Sequence, residues 1–186
     1  MPRFAARPER VRTNADKSLG GDSHNPVNAM LDLAHPSAGW FDGAEHVLPV
    51  RVYYEDTDNT GLVYHASYVR FFERGRSDFL RLSGVDHVSM GKLDTAFAVT
   101  RLEVDFKRAA GIDDALYVRT RFQTVRGPRL TIGQQIFRGA ELLTSAIVCL
   151  ACIDGHGRAR RPPPTLVEAL KTKLEIHSNE GSVNPR

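Results

Sequence analysis

Hydrophobic positions follow a helical period in one long stretch of the chain, from about His65 to Leu82. Apolar or small residues recur there every three or four positions: Tyr68, Phe72, Gly75, Phe79 and Leu82. This spacing places them on one face of an amphipathic helix. Ser83 and Gly84 come next, and a glycine just after the last periodic residue is typical of a helix end. The pattern predicts a single helix with a phenylalanine-rich stripe in the core.

Segments of alternating hydrophobic and polar residues predict strands on either side of this helix. They cover residues 47–54, 97–106, 116–124, 130–137 and 142–153. The last segment is apolar on both faces, which is typical of a central strand. In the second segment, alternation predicts a common face for Ala98, Thr100, Leu102, Val104 and Phe106. A short helix over residues 165–174 is predicted to close the domain.

The order of these elements indicates the fold class. One strand, the long helix and four further strands predict an α+β domain with a five-stranded antiparallel sheet. A sheet of this kind wrapped around one long central helix is the hotdog architecture. Its exposed edge strand favours pairing with a second copy of the chain.

The first 43 residues differ in composition from the rest of the chain. They contain four prolines and four glycines, balance five basic against five acidic residues, and show no sustained apolar period. We therefore predict three regions: a disordered or loosely attached tail over 1–43, a hotdog domain over 44–176, and a flexible tail over 177–186. Met30 is an alternative start of the native chain, which would leave residues 1–29 outside it.

Composition and charge restrict the class of protein. With 41% hydrophobic and 25% charged residues, the 186-residue chain has the balance of a globular domain. A formal net charge of +3 and the lack of a helix-turn-helix pattern give no indication of nucleic-acid binding. No stretch approaches the ~18 apolar residues of a membrane span, and no apolar segment comes after the N-terminal arginines. We therefore expect a soluble, cytoplasmic protein.

The two cysteines, Cys149 and Cys152, have the CxxC spacing of redox and metal sites. They lie in a predicted strand, where positions three apart point to opposite faces. Two thiols on opposite faces cannot bind one metal ion, and no second cluster of ligands accompanies them. Both cysteines are therefore predicted to be structural, and no metal site is expected.

A polar turn with two carboxylates, Asp56 and Asp58, lies immediately before the predicted helix. A helix start presents unpaired N–H groups and partial positive charge, which can stabilise the oxyanion of an acyl-transfer reaction. A carboxylate seven residues before His65 can attack the same carbonyl or activate water beside it. Because aspartate also favours turns through hydrogen bonds to the backbone, these residues alone leave a structural role open.

The segment resembles the signature of the 4-hydroxybenzoyl-CoA thioesterase family of hotdog proteins, and within it the Tol–Pal-associated acyl-CoA thioesterases. That signature reads aromatic-x-Asp-x-Asp-x-x-Gly-x-Val-Tyr-His-Ala-x-Tyr, and then Phe-x-Glu-x-x-Arg. The matching residues are Tyr54, Asp56, Asp58, Gly61, Val63, Tyr64, His65, Ala66, Tyr68, Phe72, Glu73 and Arg76. The predicted order of strands agrees with this family as well.

The resemblance implies an acyl-CoA thioesterase, which hydrolyses an acyl-CoA thioester to the free acid and CoA. It implies that Asp58 is the catalytic carboxylate, as nucleophile or general base, and that the backbone N–H of His65 polarises the thioester carbonyl. The implied substrate-binding residues are Gly61, Val63, Tyr64 and Tyr68, of which the two tyrosines are expected to line the acyl pocket or the dimer seam. Glu73 and Arg76 are expected to form a supporting ion pair on the helix. No cofactor is expected, since CoA is part of the substrate.

Basic side chains are expected near the mouth of the site because CoA carries phosphates. The candidates are Lys107, Arg108, Arg126 and Arg129, with Lys107 and Arg129 preferred. The implied partners are an acyl-CoA or acyl carrier protein thioester and further copies of the chain, as a homodimer or homotetramer. Loose association with envelope-related complexes is suggested by the subfamily alone.

Three other functions remain open from the sequence. They are a non-catalytic acyl-CoA or acyl-carrier binding protein on the same fold, a hotdog hydratase or dehydratase, and a scaffold in an envelope complex. The Asp-x-Asp pair before the helix favours hydrolysis over hydration. Acyl chain length and the choice between CoA and acyl carrier protein are left open.

Overall fold

The computed structural model describes residues 38–85 and 87–180. The elements are β1 (Trp40–Asp42), β2 (Glu45–Arg51), a 3-10 turn (Tyr54–Asp56), α1 (His65–Leu82), α2 (His87–Lys92), β3 (Ala96–Phe106), β4 (Ala115–Arg126), β5 (Arg129–Arg138), β6 (Glu141–Ile153) and α3 (Pro164–Glu180). The predictions for residues 1–37 and 181–186 lie outside the described residues. Among those described, no helix is long and apolar enough to cross a membrane.

Six strands form one antiparallel sheet in the order β1-β2-β4-β5-β6-β3. The predicted hotdog architecture is confirmed, but the predicted number of five strands is wrong. The sixth strand is β1, which the composition groups with the N-terminal tail. It pairs with β2 through Trp40 opposite Val47 and Phe41 opposite His46. Three residues are too few to show an alternating pattern, so this strand has no signal in the sequence.

The first predicted strand begins and ends earlier than expected, at Glu45 and Arg51. Its end is set by contacts distant in sequence. The N–H of Val52 donates to the carbonyl of Asp114 at 3.0 Å, and the N–H of Asp113 donates to the carbonyl of Val52 at 3.0 Å. These two bonds turn the chain out of the sheet towards the loop that carries the paired aspartates.

Helix α1 has the predicted bounds, and Tyr68, Phe72, Gly75 and Phe79 are buried as predicted. Leu82 is an exception, with 44% of its surface exposed. The turn after the helix folds back so that the N–H of Val85 donates to the carbonyl of Leu80 at 2.9 Å. This turn buries Leu80 and Val85 at the end of the helix and leaves Leu82 outside the stripe.

Helix α1 packs on the face of the sheet that carries Val118 and Thr120, which we call the inner face. A Cβ atom on Gly75 would lie 2.7 Å from Thr120 Oγ1 and 3.0 Å from Val118 Cγ1. The absence of a side chain at Gly75 therefore allows the close approach of helix and sheet. The nearest atoms all belong to side chains of the sheet.

We predict that Gly75→Ala lowers the free energy of unfolding by about 1–3 kcal/mol, because overpacking outweighs the ~1 kcal/mol by which alanine favours a helix. Urea denaturation measures the change. Gly91→Ala is the matched control, since Gly91 lies in helix α2 and its added Cβ would have no neighbouring atom within 4 Å. If Gly75→Ala were as stable as the wild type, the side chains of the sheet would have moved to make room for the methyl group.

An irregularity in β3 changes which residues share its inner face. The register against β6 shifts between Val99 and Arg101. Residues of β3 that pair with inner-facing residues of β6 lie on the inner face themselves. They are Phe97, Val99, Leu102, Val104 and Phe106. The prediction is correct for the last three and wrong for Ala98 and Thr100, because one extra residue in a strand reverses the alternation.

The predicted central strand and the predicted C-terminal helix are both present, and the helix extends further than expected, over Pro164–Glu180. Strand β6 lies between β5 and β3 and is therefore internal. Cys152 on this strand is buried and Cys149 is partly buried, both without a disulfide. Burial raises the pKa of the Cys152 thiol. Within 38–85 and 87–180, no three metal-binding side chains come together.

Candidate active site

Asp58 lies in a tight turn held closed by an antiparallel bridge between Thr57 and Val63. The N–H of Asp58 donates to the carbonyl of Leu62 at 3.0 Å, and the N–H of Gly61 donates to the carbonyl of Asp58 at 3.0 Å. Gly61 has a φ of 76°, a left-handed conformation that glycine adopts without steric cost. Gly61 therefore shapes the turn, and the turn fixes the main chain of Asp58.

The Asp58 carboxylate is exposed and is held through one of its oxygens. Its Oδ1 accepts a hydrogen bond from the Thr60 hydroxyl at 2.5 Å and another from the Thr60 N–H at 2.8 Å. These two hydrogen bonds hold the pKa of Asp58 below its ordinary value, and the bond from the hydroxyl has the larger effect. The carboxylate is consequently ionised at neutral pH, as a nucleophile or general base requires.

Helix α1 begins at His65 with its first N–H groups free of side-chain caps. The N–H of Ser67 donates to the carbonyl of Tyr64 at 2.8 Å. The N–H of His65 has no acceptor within the part of the chain that the structure describes. A free N–H at the positive end of a helix is suited to bind a carbonyl oxygen or an oxyanion.

Asp58 and His65 face one groove with a volume of about 400 Å³. Its other lining residues are Thr60, Leu62, Val63, Tyr68, Phe106, Lys107, Arg108 and Ala109. Leu62, Val63 and Phe106 make part of the lining apolar, whereas Lys107 and Arg108 add positive charge. The groove thus brings a carboxylate, a free N–H, an apolar surface and basic side chains together.

One wall of the groove is held by buried hydrogen bonds. The N–H of Ala110 donates to the Tyr68 hydroxyl oxygen at 2.8 Å, and the N–H of Val63 donates to the carbonyl of Ala110 at 2.9 Å. The Tyr68 ring meets Phe106 edge-on, with centroids 5.7 Å apart. Burial raises the pKa of Tyr68, so its phenol stays protonated at neutral pH.

Asp56 has a different environment from Asp58, because it is buried. Its Oδ2 accepts a hydrogen bond from the N–H of Tyr53 at 3.0 Å. Its main-chain carbonyl accepts from the N–H of Tyr64 and from the Ser67 hydroxyl, both at 2.9 Å. Arg70 approaches the other carboxylate oxygen to 3.7 Å. Asp56 therefore joins the turn to the start of helix α1.

The structure places most of the predicted site residues at this groove. Asp58, Val63, His65, Tyr68 and Lys107 line it. Gly61 lies in the turn beside it. Tyr64 is 46% exposed and packs its ring against His65, with centroids 4.3 Å apart. Gly61 and Tyr64 support the groove from its margin.

Arg129 is separated from the groove within one chain, contrary to its predicted place at the mouth. It begins β5 at the hairpin after β4 and pairs with Ala151 of β6. Phe106 in the groove pairs with Thr144, at the other end of β6. Thr144 and Ala151 are seven positions apart, which corresponds to about 23 Å of strand. Arg108, the other basic neighbour of Lys107, occupies the groove instead.

The expected ion pair between Glu73 and Arg76 is replaced by separate hydrogen bonds. Arg76 Nη1 donates to Gln134 Oε1 at 2.7 Å, and Glu73 Oε1 accepts from the Ser77 hydroxyl at 2.6 Å. Burial lowers the pKa of Arg76. Arg76 therefore ties the helix to the sheet and does not take part in the groove.

Sequence reasoning missed Thr60, Leu62, Phe106 and Ala109 as lining residues. A signal for Thr60 was available, because residues two positions after an aspartate often donate to its side chain in turns. Phe106 had no such signal. It reaches the groove only because β3 ends beside helix α1 in the folded sheet.

Comparisons with known proteins show which family the chain belongs to. The family model of the thioesterase-like superfamily matches residues 52–173. The chain is 43% identical over 107 residues to the acyl-CoA thioesterase YbgC of Haemophilus influenzae, covering 57% of this chain and 79% of that protein. It is 41% identical over 125 residues to the acyl-CoA thioester hydrolase YbgC of Escherichia coli, covering 66% and 93%.

A solved structure extends the likeness to three dimensions. The crystal structure of a probable thioesterase from Bartonella henselae superposes with a TM-score of 0.62 at 40% identity, covering 64% of this chain and 99% of that one. The segment with Asp58 and His65 falls inside the region that the family model matches, whereas β1 and β2 precede it. The chain therefore belongs to the thioesterase-like superfamily, and the predicted resemblance to the hotdog acyl-CoA thioesterases is confirmed.

Proposed function

We propose that the protein is an acyl-CoA thioesterase, which hydrolyses an acyl-CoA thioester to the free acid and CoA. One observation carries the proposal: the same groove is lined by Asp58, whose carboxylate is ionised, and by His65, whose N–H has no acceptor among the described residues. Hydrolysis of a thioester needs such a pair, since one group attacks or activates water and the other binds the developing oxyanion. Relatives named as acyl-CoA thioesterases support the choice of substrate class.

These two groups allow the reaction to proceed by one of two routes. The thioester carbonyl oxygen accepts a hydrogen bond from the N–H of His65, which makes the carbonyl carbon more electrophilic. In the first route, Asp58 attacks this carbon, the CoA thiolate leaves, and water hydrolyses the mixed anhydride. In the second, Asp58 takes a proton from water as the water attacks the carbonyl carbon, and the tetrahedral intermediate then expels the CoA thiolate, which receives the proton. Both routes require an ionised Asp58, and neither requires a metal ion.

Different side chains of the groove suit the acyl group and the CoA part of the substrate. Leu62, Val63 and Phe106 offer an apolar surface to an acyl group, and Lys107 and Arg108 offer positive charge to the phosphates of CoA. Arg108 Nε lies 3.7 Å from Glu141 Oε1. Lys107 is therefore the basic residue whose charge is more available to the substrate.

We predict that Lys107→Ala raises KM for an acyl-CoA about threefold to tenfold and leaves kcat nearly unchanged. An exposed charge pair contributes roughly 1 kcal/mol, and Lys107 makes no contact with the reacting carbon in the proposed mode. Steady-state kinetics at low salt measures both constants. Lys171→Ala is the control, because Lys171 is an exposed lysine on α3 that pairs with Glu168. An unchanged KM in Lys107→Ala would remove Lys107 from the phosphate site.

The function is tested with a panel of acyl-CoA and acyl carrier protein thioesters of different chain length, by measuring release of free thiol in the presence of EDTA. We expect release from at least one acyl-CoA. Hydration of an enoyl-CoA without thiol release would indicate the hydratase alternative. Tight binding of an acyl-CoA without turnover would indicate a binding protein. Loss of thiol release in EDTA, restored by zinc or manganese, would contradict the metal-free mechanism.

We also propose that two copies of the chain associate along β3. Within the described residues, β3 pairs with β6 on one side only, which leaves its other edge unpaired. Val99, Leu102 and Phe106 on its inner face are 53%, 37% and 52% exposed. An unpaired edge next to exposed apolar side chains favours strand addition by a second copy. Two-fold symmetry makes this pairing antiparallel and puts the second copy beside the groove.

We expect light scattering at micromolar concentration to give at least the mass of a homodimer. Leu102→Lys puts a charge into the proposed interface, so it is expected to shift the protein towards the monomer. Ile147→Lys is the matched control, since Ile147 is 38% exposed but lies on the outer-facing side of β6. A monomeric wild-type protein, or a dimer that Leu102→Lys leaves intact, would contradict pairing along β3.

The proposed substrate places the protein in the cytoplasm, where CoA thioesters are made and consumed. Cell fractionation with an antibody tests this location. Recovery in the soluble cytoplasmic fraction is the expected result, and recovery with the envelope would instead favour association with an envelope complex.

A further inference from the structure

We propose that Thr60 is a positioning residue for Asp58: it binds Oδ1 of the carboxylate and leaves Oδ2 as the oxygen that reacts at the thioester. The inference rests on the proposed function, in which Asp58 is the reacting carboxylate. It goes beyond that function because it gives the two carboxylate oxygens different roles. The residue responsible is one that the family signature leaves unspecified, since Thr60 occupies an x position of the Asp-x-x-Gly segment.

The geometry around Thr60 directs its hydroxyl hydrogen to Asp58. Thr60 Oγ1 lies 2.5 Å from Asp58 Oδ1, and the N–H of Leu62 approaches Thr60 Oγ1 to 3.4 Å. A hydroxyl has one hydrogen to donate. Because an N–H can only donate, the hydroxyl oxygen accepts from Leu62 and its hydrogen goes to Asp58. In this chain of hydrogen bonds, the bond from Leu62 to Thr60 polarises the hydroxyl and so strengthens its bond to Asp58.

The second oxygen of the carboxylate is left open. Both hydrogen bonds from Thr60 end on Oδ1, and Oδ2 of Asp58 receives none from the described residues. Asp58 also lines the groove, so its free oxygen is accessible to a substrate or to water there. Fixing one oxygen through two donors restricts rotation of the carboxylate. A nucleophile or base oriented in this way loses less entropy when it reacts.

Main-chain and side-chain contributions of Thr60 can be separated. Any residue other than proline at this position supplies the N–H at 2.8 Å. Only a hydroxyl side chain of the length of threonine or serine supplies the second bond. Replacing threonine by valine therefore removes one of the two donors and keeps the branched shape, and replacing it by serine keeps both donors.

Other ionisable groups line the same groove as Asp58 and remain in every variant. They are His65 and Tyr68 from helix α1, and Lys107 and Arg108 from the loop after β3. The Thr60 hydroxyl is the largest cause of the lowered pKa of Asp58, and the Thr60 N–H is the second. Loss of the hydroxyl bond therefore raises the pKa of Asp58, and the acid limb of the rate profile moves to higher pH.

The test compares wild type, Thr60→Val and Thr60→Ser over about pH 4 to 8, a range that contains the titration of carboxylates. Thiol release from the best acyl-CoA gives kcat and KM at each pH. Thr60→Val is expected to move the acid limb of kcat/KM to higher pH and to lower the plateau of kcat roughly tenfold, with little change in KM. Thr60→Ser is expected to restore both. A merely structural role for Thr60 would leave the acid limb in place.

A second measurement does not depend on activity. Carbon-13 NMR of the aspartate carboxyl groups, assigned with Asp58→Asn, tracks the titration of Asp58 directly. We expect Asp58 to titrate at higher pH in Thr60→Val than in wild type and Thr60→Ser. Unchanged titration, or changed titration with an unchanged plateau of kcat, would overturn the positioning role. Full turnover in Asp58→Asn would instead refute the catalytic assignment of Asp58, while the NMR result would still report whether Thr60 binds it.

Discussion

Replacing Asp58 with asparagine is expected to reduce kcat by about 10²–10⁴-fold, the usual effect of losing a nucleophile or general base. Asparagine keeps the size and shape of the side chain, and its Oδ1 can still accept the two hydrogen bonds from Thr60. The change therefore removes the negative charge with little effect on the turn. Binding of an acyl-CoA, measured by calorimetry with the inactive variant, is expected to remain nearly normal.

Asp56→Asn is the matched comparison for this prediction. Asp56 is buried, and its carboxylate bonds to the N–H of Tyr53 and approaches Arg70, away from the groove lining. We expect the substitution to cost less turnover than Asp58→Asn and to lower the melting temperature. Near wild-type turnover of Asp58→Asn on the best substrate would show that another group performs the attack.

The second large effect is expected when His65 is replaced by proline. Proline has no N–H, so the variant loses the proposed oxyanion donor, and loss of one such donor typically reduces the rate about 10²–10³-fold. The fold should tolerate the change, because proline is favoured at the first position of a helix. Tyr64 already has φ −61° and ψ 135°, the extended conformation that a residue before proline requires.

His65→Ala distinguishes the main chain of His65 from its imidazole. Alanine keeps the N–H and removes the ring that packs against Tyr64. We expect this variant to retain much more activity than His65→Pro, with circular dichroism showing that both are folded. If the two folded variants were equally impaired, the imidazole would be the catalytic group and the N–H would not.

Much of the site could be predicted because it is local in the sequence. The two candidate catalytic residues lie seven positions apart, on a turn and on the helix that comes directly after it. A helix start and a preceding turn are specified by nearby residues, through periodicity, capping and turn chemistry. For the same reason, the bounds of helix α1 agree with the prediction from its apolar stripe.

Other features of the site depend on contacts between distant residues. Phe106 and Lys107 reach the groove because β3 pairs with β6 and ends near Tyr68. Arg129 carries the same charge as Lys107 but lies at the opposite end of the sheet. The distance between Arg129 and the groove cannot be predicted from charge or from spacing along the chain, because the register of the strands sets it.

The sequence by itself determined the family, the long helix, the order of five strands and the position of the two candidate catalytic residues, because each depends on patterns within a few turns or one strand. Only the tertiary structure decided the sixth strand at Trp40–Asp42, the irregularity after Val99 and the walls of the groove. A short strand forms when a sheet edge is available to it, and a bulge moves every later side chain to the other face. Both depend on the partner strand, which local sequence does not identify.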